Sequence, residues 1–153
     1  MQKYYENSQG SWFVDPIVKN HAGLTKRTEK EFKDFLVAQS TPTTIQLLQQ
    51  LTQARKEQER QGVTLNGIRY AGDPGNRQAM QEALAFMDNA GLTEFPSWKD
   101  SDNAFHANHP LSDVFDAYRA IGVRRSSLIA AEGQYAAQII AGTLTDLTEV
   151  TWP

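Results

Sequence analysis

The stretch Val63-Thr64-Leu65-Asn66-Gly67-Ile68-Arg69-Tyr70 carries the strongest local fold signal in the chain. Asn-Gly favours a two-residue type I′ turn, because both turn positions need positive φ angles. With that turn, four apolar residues share one face of a hairpin as two facing pairs, and two polar residues share the other face. The apolar pairs are Leu65 with Ile68 and Val63 with Tyr70, and the polar residues are Thr64 and Arg69.

Helices are predicted on both sides of this hairpin. The upstream helix runs from about Thr43 to Gln61, with apolar residues only in its first half. Its second half, residues 55–60, is polar all round, which predicts a solvated connector that ends at Gly62. The downstream helix opens at Asp73-Pro74 and closes at Gly91. Its predicted buried stripe is Met80, Ala83, Leu84 and Met87.

A second hairpin and a long helix are predicted further along the chain. Apolar residues flank the polar turn at residues 99–103, and this pattern places Trp98 roughly opposite Phe105. A helix follows Pro110, with Ser112 as a candidate cap and an apolar stripe at spacings of three, four and seven. That stripe is Val114, Tyr118, Ile121, Leu128, Tyr135 and Ile139. The tail over 148–153 is predicted to be a short strand.

The length of that helix leaves two alternatives. If it is unbroken to about Ala141, it measures about 45 Å and should pack on a second chain or span two units. Gly122 and Gly133 are the places where it would otherwise break. Arg125 and Glu132 lie within the apolar stripe, and they either pair across a helix dimer or edge a monomer core.

The N-terminal region is predicted to form an aromatic hairpin followed by a helix. Turn residues 7–10 separate the pair Tyr4-Tyr5 from the pair Trp12-Phe13. Because neighbouring side chains alternate across a strand, half of these aromatics should pack on the helix. The other half either meets a partner or is covered by the same domain. In that helix Thr28 and Glu31 match a capping box, and Phe32, Phe35 and Leu36 form one stripe.

These elements predict an α+β fold. A small β-hairpin and helix unit (1–40) is joined by a connector helix (41–62) to a helical unit (63–153) with two β-hairpins and a long C-terminal helix. The boundary is expected at Ser40-Thr41-Pro42-Thr43, because Pro42 disfavours helical geometry at the residue before it.

Composition and motifs argue against several classes of function. The formal net charge of −3 lacks the basic surplus of a nucleic-acid binder, and the chain has no cysteine for thiol chemistry. No apolar run reaches the length of a membrane span, and we see no signal peptide. The best metal hypothesis is zinc on His106 and His109 with Asp102 or Asp113, against the alternative of ordinary surface histidines. We find no catalytic constellation, so we expect no enzyme and no cofactor.

Two parts of the chain resemble known phage families. The pattern Tyr4-Tyr5-x-x-x-x-Gly10-x-Trp12-Phe13, followed by Thr28-x-x-Glu31-Phe32-x-x-Phe35-Leu36, resembles the opening of tail-fibre assembly proteins of tailed bacteriophages. Val150-x-Trp152-Pro153 is similar to the terminus of the same family. The middle and end, through Val63–Tyr70, Gly72-Asp73-Pro74, Ser97-Trp98-Lys99 and Ala130–Gly133, look like an uncharacterised domain of phage tail proteins.

The resemblance implies a chaperone that binds the distal, receptor-binding end of the tail fibre and assists its folding or trimerisation. It implies no cofactor or catalytic residue, and the host bacterial cytoplasm as the place of action, with retention on the virion fibre in some members. A permanent structural component of the tail or fibre tip is the alternative. Partners are then the fibre protein and, through the long helix, a second copy, with no nucleic acid or membrane. The candidate partner-binding residues are Tyr4, Tyr5, Trp12, Phe13, Trp98 and Phe105.

Overall fold

The computed structural model describes residues 2–15 and 21–153, and the predicted α+β fold class is confirmed. The chain divides into two compact units, Met1–Thr43 and Thr44–Pro153. The elements in chain order are β1 (Tyr4–Asn7), β2 (Trp12–Val14), β3 (Leu24–Arg27), α1 (Glu29–Ser40), α2 (Thr44–Gln61), β4 (Val63–Leu65), β5 (Ile68–Tyr70), α3 (Pro74–Asn89), β6 (Glu94–Lys99), β7 (Phe105–Pro110) and α4 (Leu111–Ile140).

The first unit is a three-stranded antiparallel sheet with α1 packed on it. The order is β2-β1-β3, so the predicted hairpin gains a third strand on the far edge of β1. Arg27 of β3 pairs with Glu6 of β1 at 2.6 Å and with Glu31 of α1 at 3.3 Å, which ties all three elements together. The capping box of Thr28 and Glu31 is present, as predicted. Residues 16–20 of the predicted hairpin unit lie outside the described residues.

The hairpin β4–β5 forms as the sequence predicts. Leu65 pairs with Ile68 and Val63 with Tyr70, and all four contribute to one hydrophobic core. Asn66 and Gly67 have φ angles of 50° and 77°, the left-handed values that a type I′ turn requires.

The second half of α2 does not project into solvent, which corrects the expectation of a solvated connector. Arg55 and Glu59, in the stretch that reads as polar all round, have side chains only 12% and 7% exposed. They pack toward α4, whose Glu132 and Arg125 supply opposite charges. One face of this polar helix half is buried because its charges are paired within the chain, whereas Glu57 and Arg60 stay exposed.

The end of α2 crosses the end of β5 at two glycines whose backbones nearly touch. A Cβ on Gly72 would lie 2.2 Å from the carbonyl oxygen of Glu59, and a Cβ on Gly62 would lie 1.8 Å from that of Tyr70. Gly62 also has a φ of 66°, which ends the helix in a left-handed conformation. Only glycine fits at either position of this crossing.

The helix α3 begins as predicted, with Asp73 capping the backbone N–H of Asn76 and Pro74 in the first turn. The hairpin β6–β7 also forms, but its register differs by one residue from the prediction. Trp98 faces His106, and Phe105 faces Lys99. Because a shift of one residue exchanges the faces of a strand, Trp98 and Phe105 are not neighbours.

The helix α4 is unbroken over 30 residues and about 45 Å, so neither internal glycine interrupts it. Pro110, not Ser112, occupies the N-cap position, and no side chain caps this end. The N-terminal half of α4 completes one core with β4, β5, α3 and β6, to which it contributes Val114, Ala117 and Ile121. Its C-terminal half completes a second core with Leu47 and Leu51 of α2.

The tail after α4 is not a strand, which corrects that prediction. It forms turns that fold back on the second core. Tyr135 donates its hydroxyl proton to the carbonyl oxygen of Thr151 at 3.1 Å, and its ring meets Trp152 edge-on at 6.1 Å. Because these side-chain contacts hold the tail on the second core, the tail stays in place without pairing with a strand.

The crossing of α2 and β5 generates a first prediction. Gly72→Ala should lower the free energy of unfolding by about 1–3 kcal/mol, since the methyl group can be placed only by moving backbone. Gly133→Ala is the matched control, because a Cβ there meets nothing within 4 Å. We expect it to raise stability by up to about 1 kcal/mol through helix propensity. Urea unfolding measures both, and equal effects of the two substitutions would contradict the described crossing.

Candidate protein-binding surfaces

The inner face of the N-terminal sheet is a closed aromatic cluster. The ring of Tyr4 stacks on Phe32 with centroids 4.6 Å apart, and the ring of Trp12 stacks on Phe35 at 5.2 Å. Tyr4 is only 7% exposed. The prediction that half of the hairpin aromatics pack on Phe32 and Phe35 is confirmed, and this half is part of the unit's own core.

The outer face of the same sheet keeps one of its two aromatics exposed. Tyr5 and Phe13 are a cross-strand pair, so they share this face. Tyr5 stacks on His21 at 4.3 Å and is only 8% exposed. Its ring is therefore buried, which corrects the expectation that it is exposed to a partner. Phe13 is 36% exposed. Leu36 on α1, which shares the predicted stripe with Phe32 and Phe35, is 48% exposed.

A second aromatic cluster lies where β5, β6 and β7 meet. His109 is buried, with its Nε2 atom 2.8 Å from the hydroxyl of Tyr70. Trp98 stacks on His109 at 5.8 Å and tilts against Phe95 at 5.1 Å. The indole nitrogen of Trp98 is buried without a hydrogen-bond acceptor, and the half-buried side chain packs against the core that contains Tyr70 and Phe95.

Phe105, the other residue of this hairpin predicted to bind a partner, is 71% exposed. The ammonium of Lys99 lies 5.8 Å from the centre of its ring, within the range of a cation–π contact. Of the six candidate partner-binding residues, Phe13 and Phe105 are therefore the exposed ones. Tyr4 and Tyr5 are buried, whereas Trp12 and Trp98 are half-buried, Trp12 against α1 and Trp98 against the core around Tyr70.

The two histidines of the zinc hypothesis are engaged elsewhere. The Nε2 atom of His106 lies 2.8 Å from Oδ2 of Asp100, and the Nε2 atom of His109 meets Tyr70. Asp102 pairs with Arg69 at 2.7 Å. Within residues 2–15 and 21–153, no group of three histidine, aspartate or glutamate side chains is arranged to hold a metal ion.

Burial sets the protonation of the Tyr70–His109 pair. Desolvation raises the pKa of Tyr70 to about 12, with further contributions from Asp113 and Asp100. Desolvation lowers the pKa of His109, and His106 lowers it further, whereas Asp113 acts in the opposite direction. Both rings are therefore neutral near pH 7, and their hydrogen bond joins two neutral groups in a core.

A buried charge network joins α2, α3 and α4. The carboxylate of Glu59 forms ion pairs with Arg55 and with two more distant arginines, Arg77 at 3.5 Å and Arg125 at 3.4 Å. Glu132 accepts a hydrogen bond from Thr52 at 2.6 Å. The alternative in which Arg125 and Glu132 edge a monomer core is the observed one, because both residues pair with α2 of the same chain.

One contact of this network is an ion pair without a hydrogen bond. The Nε atom of Arg55 lies 2.5 Å from Oε2 of Glu132. Its N–H is not directed at an acceptor, although the atom is buried. The contact between Arg55 and Glu132 at these two atoms is therefore an attraction of opposite charges and not a hydrogen bond.

An exposed apolar face on α4 was missed by the sequence interpretation. Phe115, Val123, Ile129 and Ile140 are 53%, 64%, 41% and 70% exposed. Their positions in the sequence could have indicated this face, since three of them immediately follow a residue of the predicted core stripe.

Among the described helices, none is long and apolar enough to cross a lipid bilayer.

Family comparison adds one finding to this geometry. The model of a family described as Domain of unknown function (DUF4376) matches residues 43–151. The chain belongs to the DUF4376 family. The DUF4376 match covers the second unit from the start of α2 to the tail, and leaves the first unit almost entirely outside it. No curated protein and no solved structure matches the chain.

The network around Glu59 generates a second prediction. Glu59→Ala should lower the free energy of unfolding by about 2–3 kcal/mol, because it leaves buried arginine charge without its counter-ion. The loss falls short of a fully buried pair since Arg125 is 46% exposed. Glu57→Ala is the control on the same helix, because that carboxylate pairs with Arg60 in solvent. It should change stability by less than about 0.5 kcal/mol. Equal losses would contradict a buried network.

The lowered pKa of His109 generates a third prediction. The unfolded chain takes up this proton near the ordinary histidine value of about 6.5, whereas the folded chain resists it. Stability should therefore be complete above that pH and fall as the pH drops below it. Denaturant unfolding of the second unit across pH 7 to 5 should show this slope, and His109→Gln should reduce it. His21→Gln lies in the other unit and should leave it unchanged, so a slope that survives His109→Gln would contradict this origin.

Proposed function

We propose that this chain is a bacteriophage tail-fibre assembly chaperone, which binds the distal receptor-binding end of the fibre and assists its folding or trimerisation. One observation carries the proposal. The residues that resemble tail-fibre assembly proteins form a compact sheet-and-helix unit of their own, and that unit leaves Phe13 and Leu36 exposed. In this proposal the protein acts by binding, without catalysis or a cofactor.

Exposed apolar side chains suit such a role. An incompletely assembled fibre exposes hydrophobic surface that the mature trimer buries, and such surface drives aggregation. A chaperone covers that surface until the other fibre chains replace it. Phe13 supplies an aromatic ring with few rotatable bonds, which makes it a suitable anchor for a contact that must form and then be released.

The aromatic cluster on the inner face supports the anchor instead of binding the fibre itself. Tyr4 and Trp12 pack on Phe32 and Phe35, so they fix the sheet against α1. Because the other face of its strand packs on α1, Phe13 is held in a fixed position, and its binding costs little conformational entropy. The proposed fibre contacts are therefore Phe13 on the outer face of the sheet and, separately, Leu36 on α1, and the buried aromatics support both.

Co-expression with a tail-fibre protein tests the proposal. We expect soluble fibre trimers to depend on this chain, and Phe13→Lys or Leu36→Lys to weaken fibre binding on the order of tenfold, as for loss of an interface anchor. Gln9→Lys is the matched control, because it adds the same charge in the exposed turn of the same hairpin. Fibre that trimerises equally well without this chain would contradict the proposal.

The same experiment can be extended to separate a chaperone from a permanent structural component of the tail or fibre tip. Mass spectrometry of purified particles would show the chain in stoichiometric amounts in the second case. A transient chaperone should be missing from particles or retained well below the fibre's copy number.

A further inference from the structure

A groove lies on the surface of the second unit, where α3 ends and α4 begins. Its volume is about 690 Å³, and the ring of Phe115, which is 53% exposed, lies on its wall. An exposed aromatic ring in a recess of this size marks a surface that binds a ligand or a partner. The lining includes Leu84, Ala85 and Asp88 of α3 and Leu111, Phe115 and Asp116 of α4.

The groove continues along α3 beyond this recess. A second depression of about 590 Å³ borders both helices, shares Ala85 with the first and reaches Pro74 and Tyr118. From Pro74 to Asp88 the groove follows α3 for about 21 Å, or about four helical turns. That length suits a helical segment of another chain better than a small molecule.

Side chains at helical spacing form the two walls of the groove. On each helix the wall residues are three or four positions apart, so each wall is one ridge of a helix surface. Two such ridges leave between them a groove in which a third helix can seat its own row of side chains. The ridge residues are Gln78, Gln81, Ala85 and Asp88 of α3, and Leu111, Phe115 and Tyr118 of α4.

The charge of this part of the chain decides the chemistry of the occupant. Residues 78–118, which include both ridges, contain seven carboxylates and one basic residue, Lys99, and so have a formal charge of −6. The whole chain has a formal charge of −3, so the remaining residues together are positive. Negative charge is therefore concentrated around the groove.

Most of these carboxylates have no basic partner. Asp100 is held by His106, and Asp102 by Arg69. Asp88 and Asp116 are exposed and lie on opposite walls of the groove. Within residues 2–15 and 21–153, no lysine, arginine or histidine forms an ion pair with the other five, which are Glu82, Asp88, Glu94, Asp113 and Asp116.

Two arginines near the groove do not cancel this charge. Arg77, at the far end of the groove, pairs with Glu59. Arg119 is exposed one turn after Asp116, but it borders a neighbouring groove and forms no ion pair with Asp116 in the described part of the chain. With Arg119 counted, residues 78–119 still have a formal charge of −5.

We propose that this groove binds a basic amphipathic helix of a partner protein. The apolar stripe of that helix covers Leu84, Leu111 and Phe115, and lysine or arginine side chains beside the stripe pair with Asp88 and Asp116. The same carboxylates repel nucleic acid and anionic lipid. The site lies on the second unit and is additional to the fibre-binding role proposed for the first.

Titration of the full chain with synthetic peptides tests the proposal. The probe is a helical peptide of about 14 residues with leucine on one face and lysine on both sides of that face. We expect it to bind, and to bind several-fold more weakly in about 0.5 M salt, because salt screens exposed charge pairs. Two control peptides, one with the leucines scattered around the helix and one with glutamate in place of lysine, should bind on the order of tenfold more weakly. Equal binding of all three peptides, or no binding of the first, overturns the proposal.

Substitutions in the groove locate the site. Asp88→Asn combined with Asp116→Asn removes both charges at nearly constant volume, so it should weaken peptide binding on the order of tenfold and reduce its salt dependence. Phe115→Ala should weaken binding by a similar factor through lost apolar contact. Glu57→Gln is the matched control, because that exposed carboxylate lies on α2 and does not line the groove. Circular dichroism checks the fold of each variant, and an unchanged affinity in the double variant overturns the proposal.

NMR and sedimentation separate this occupant from the alternatives. The peptide should shift the amide signals of residues 84–88 and 111–116 and leave those of the first unit unchanged, and Phe13→Lys should not alter its affinity. Shifts confined to the first unit would overturn the proposal. Sedimentation of the chain alone should show the 17.2 kDa monomer. A dimer that dissociates on Phe115→Lys would show that a second copy covers the groove, and would also overturn the proposal.

Discussion

The buried carboxylate of Glu59 is the constraint on which the second unit depends. Three arginines surround it, one each from α2, α3 and α4, so each helix must arrive at the correct angle and register for the charge to be paired. An unpaired charge in this position would be costly, and a mispacked arrangement of the helices would create one. The carbonyl oxygen of the same residue lies against Gly72, so the end of α2 is fixed through its backbone as well.

With that junction fixed, α4 serves two cores at once. Val114, Ala117 and Ile121 complete one of them, Ile139 completes the other, and Arg125 and Glu132 pair with α2 along the stretch between. One continuous face of a 45 Å helix is thus consumed inside the unit. Phe115, Ile129 and Ile140 lie outside that face and stay exposed.

Local chemistry allowed much of this fold to be predicted. Asn66-Gly67 fixed a hairpin and its register, Thr28 with Glu31 and Asp73 with Pro74 fixed two helix starts, and the spacing of apolar residues gave α4 its buried face. Each of these signals spans fewer than about ten residues or repeats at a single period. The aromatic face that packs on Phe32 and Phe35 followed from strand alternation alone.

The errors arose where distant residues decide the outcome. The second half of α2 reads as solvated because the counter-charges of Arg55 and Glu59 lie on helices far along the chain. The register of β6–β7 was wrong by one residue, and the regular pairing of that hairpin is interrupted at Pro96 and Asn108, where Pro96 lacks an N–H and Asn108 has a φ of 49°. The exposure of Phe115 and Ile140 was not predicted, because in the sequence a second apolar face of a helix looks like irregular apolar positions beside the first face.

We expect the Glu59 junction to make both cores of the second unit one cooperative structure. Native-state hydrogen exchange along α4 tests it most directly, because exchange reports the opening free energy of each amide. Amides near Ile121 and those near Ile139 should exchange with the same free energy, equal to that of global unfolding. Two separate values, with one end of α4 opening well before the other, would contradict it.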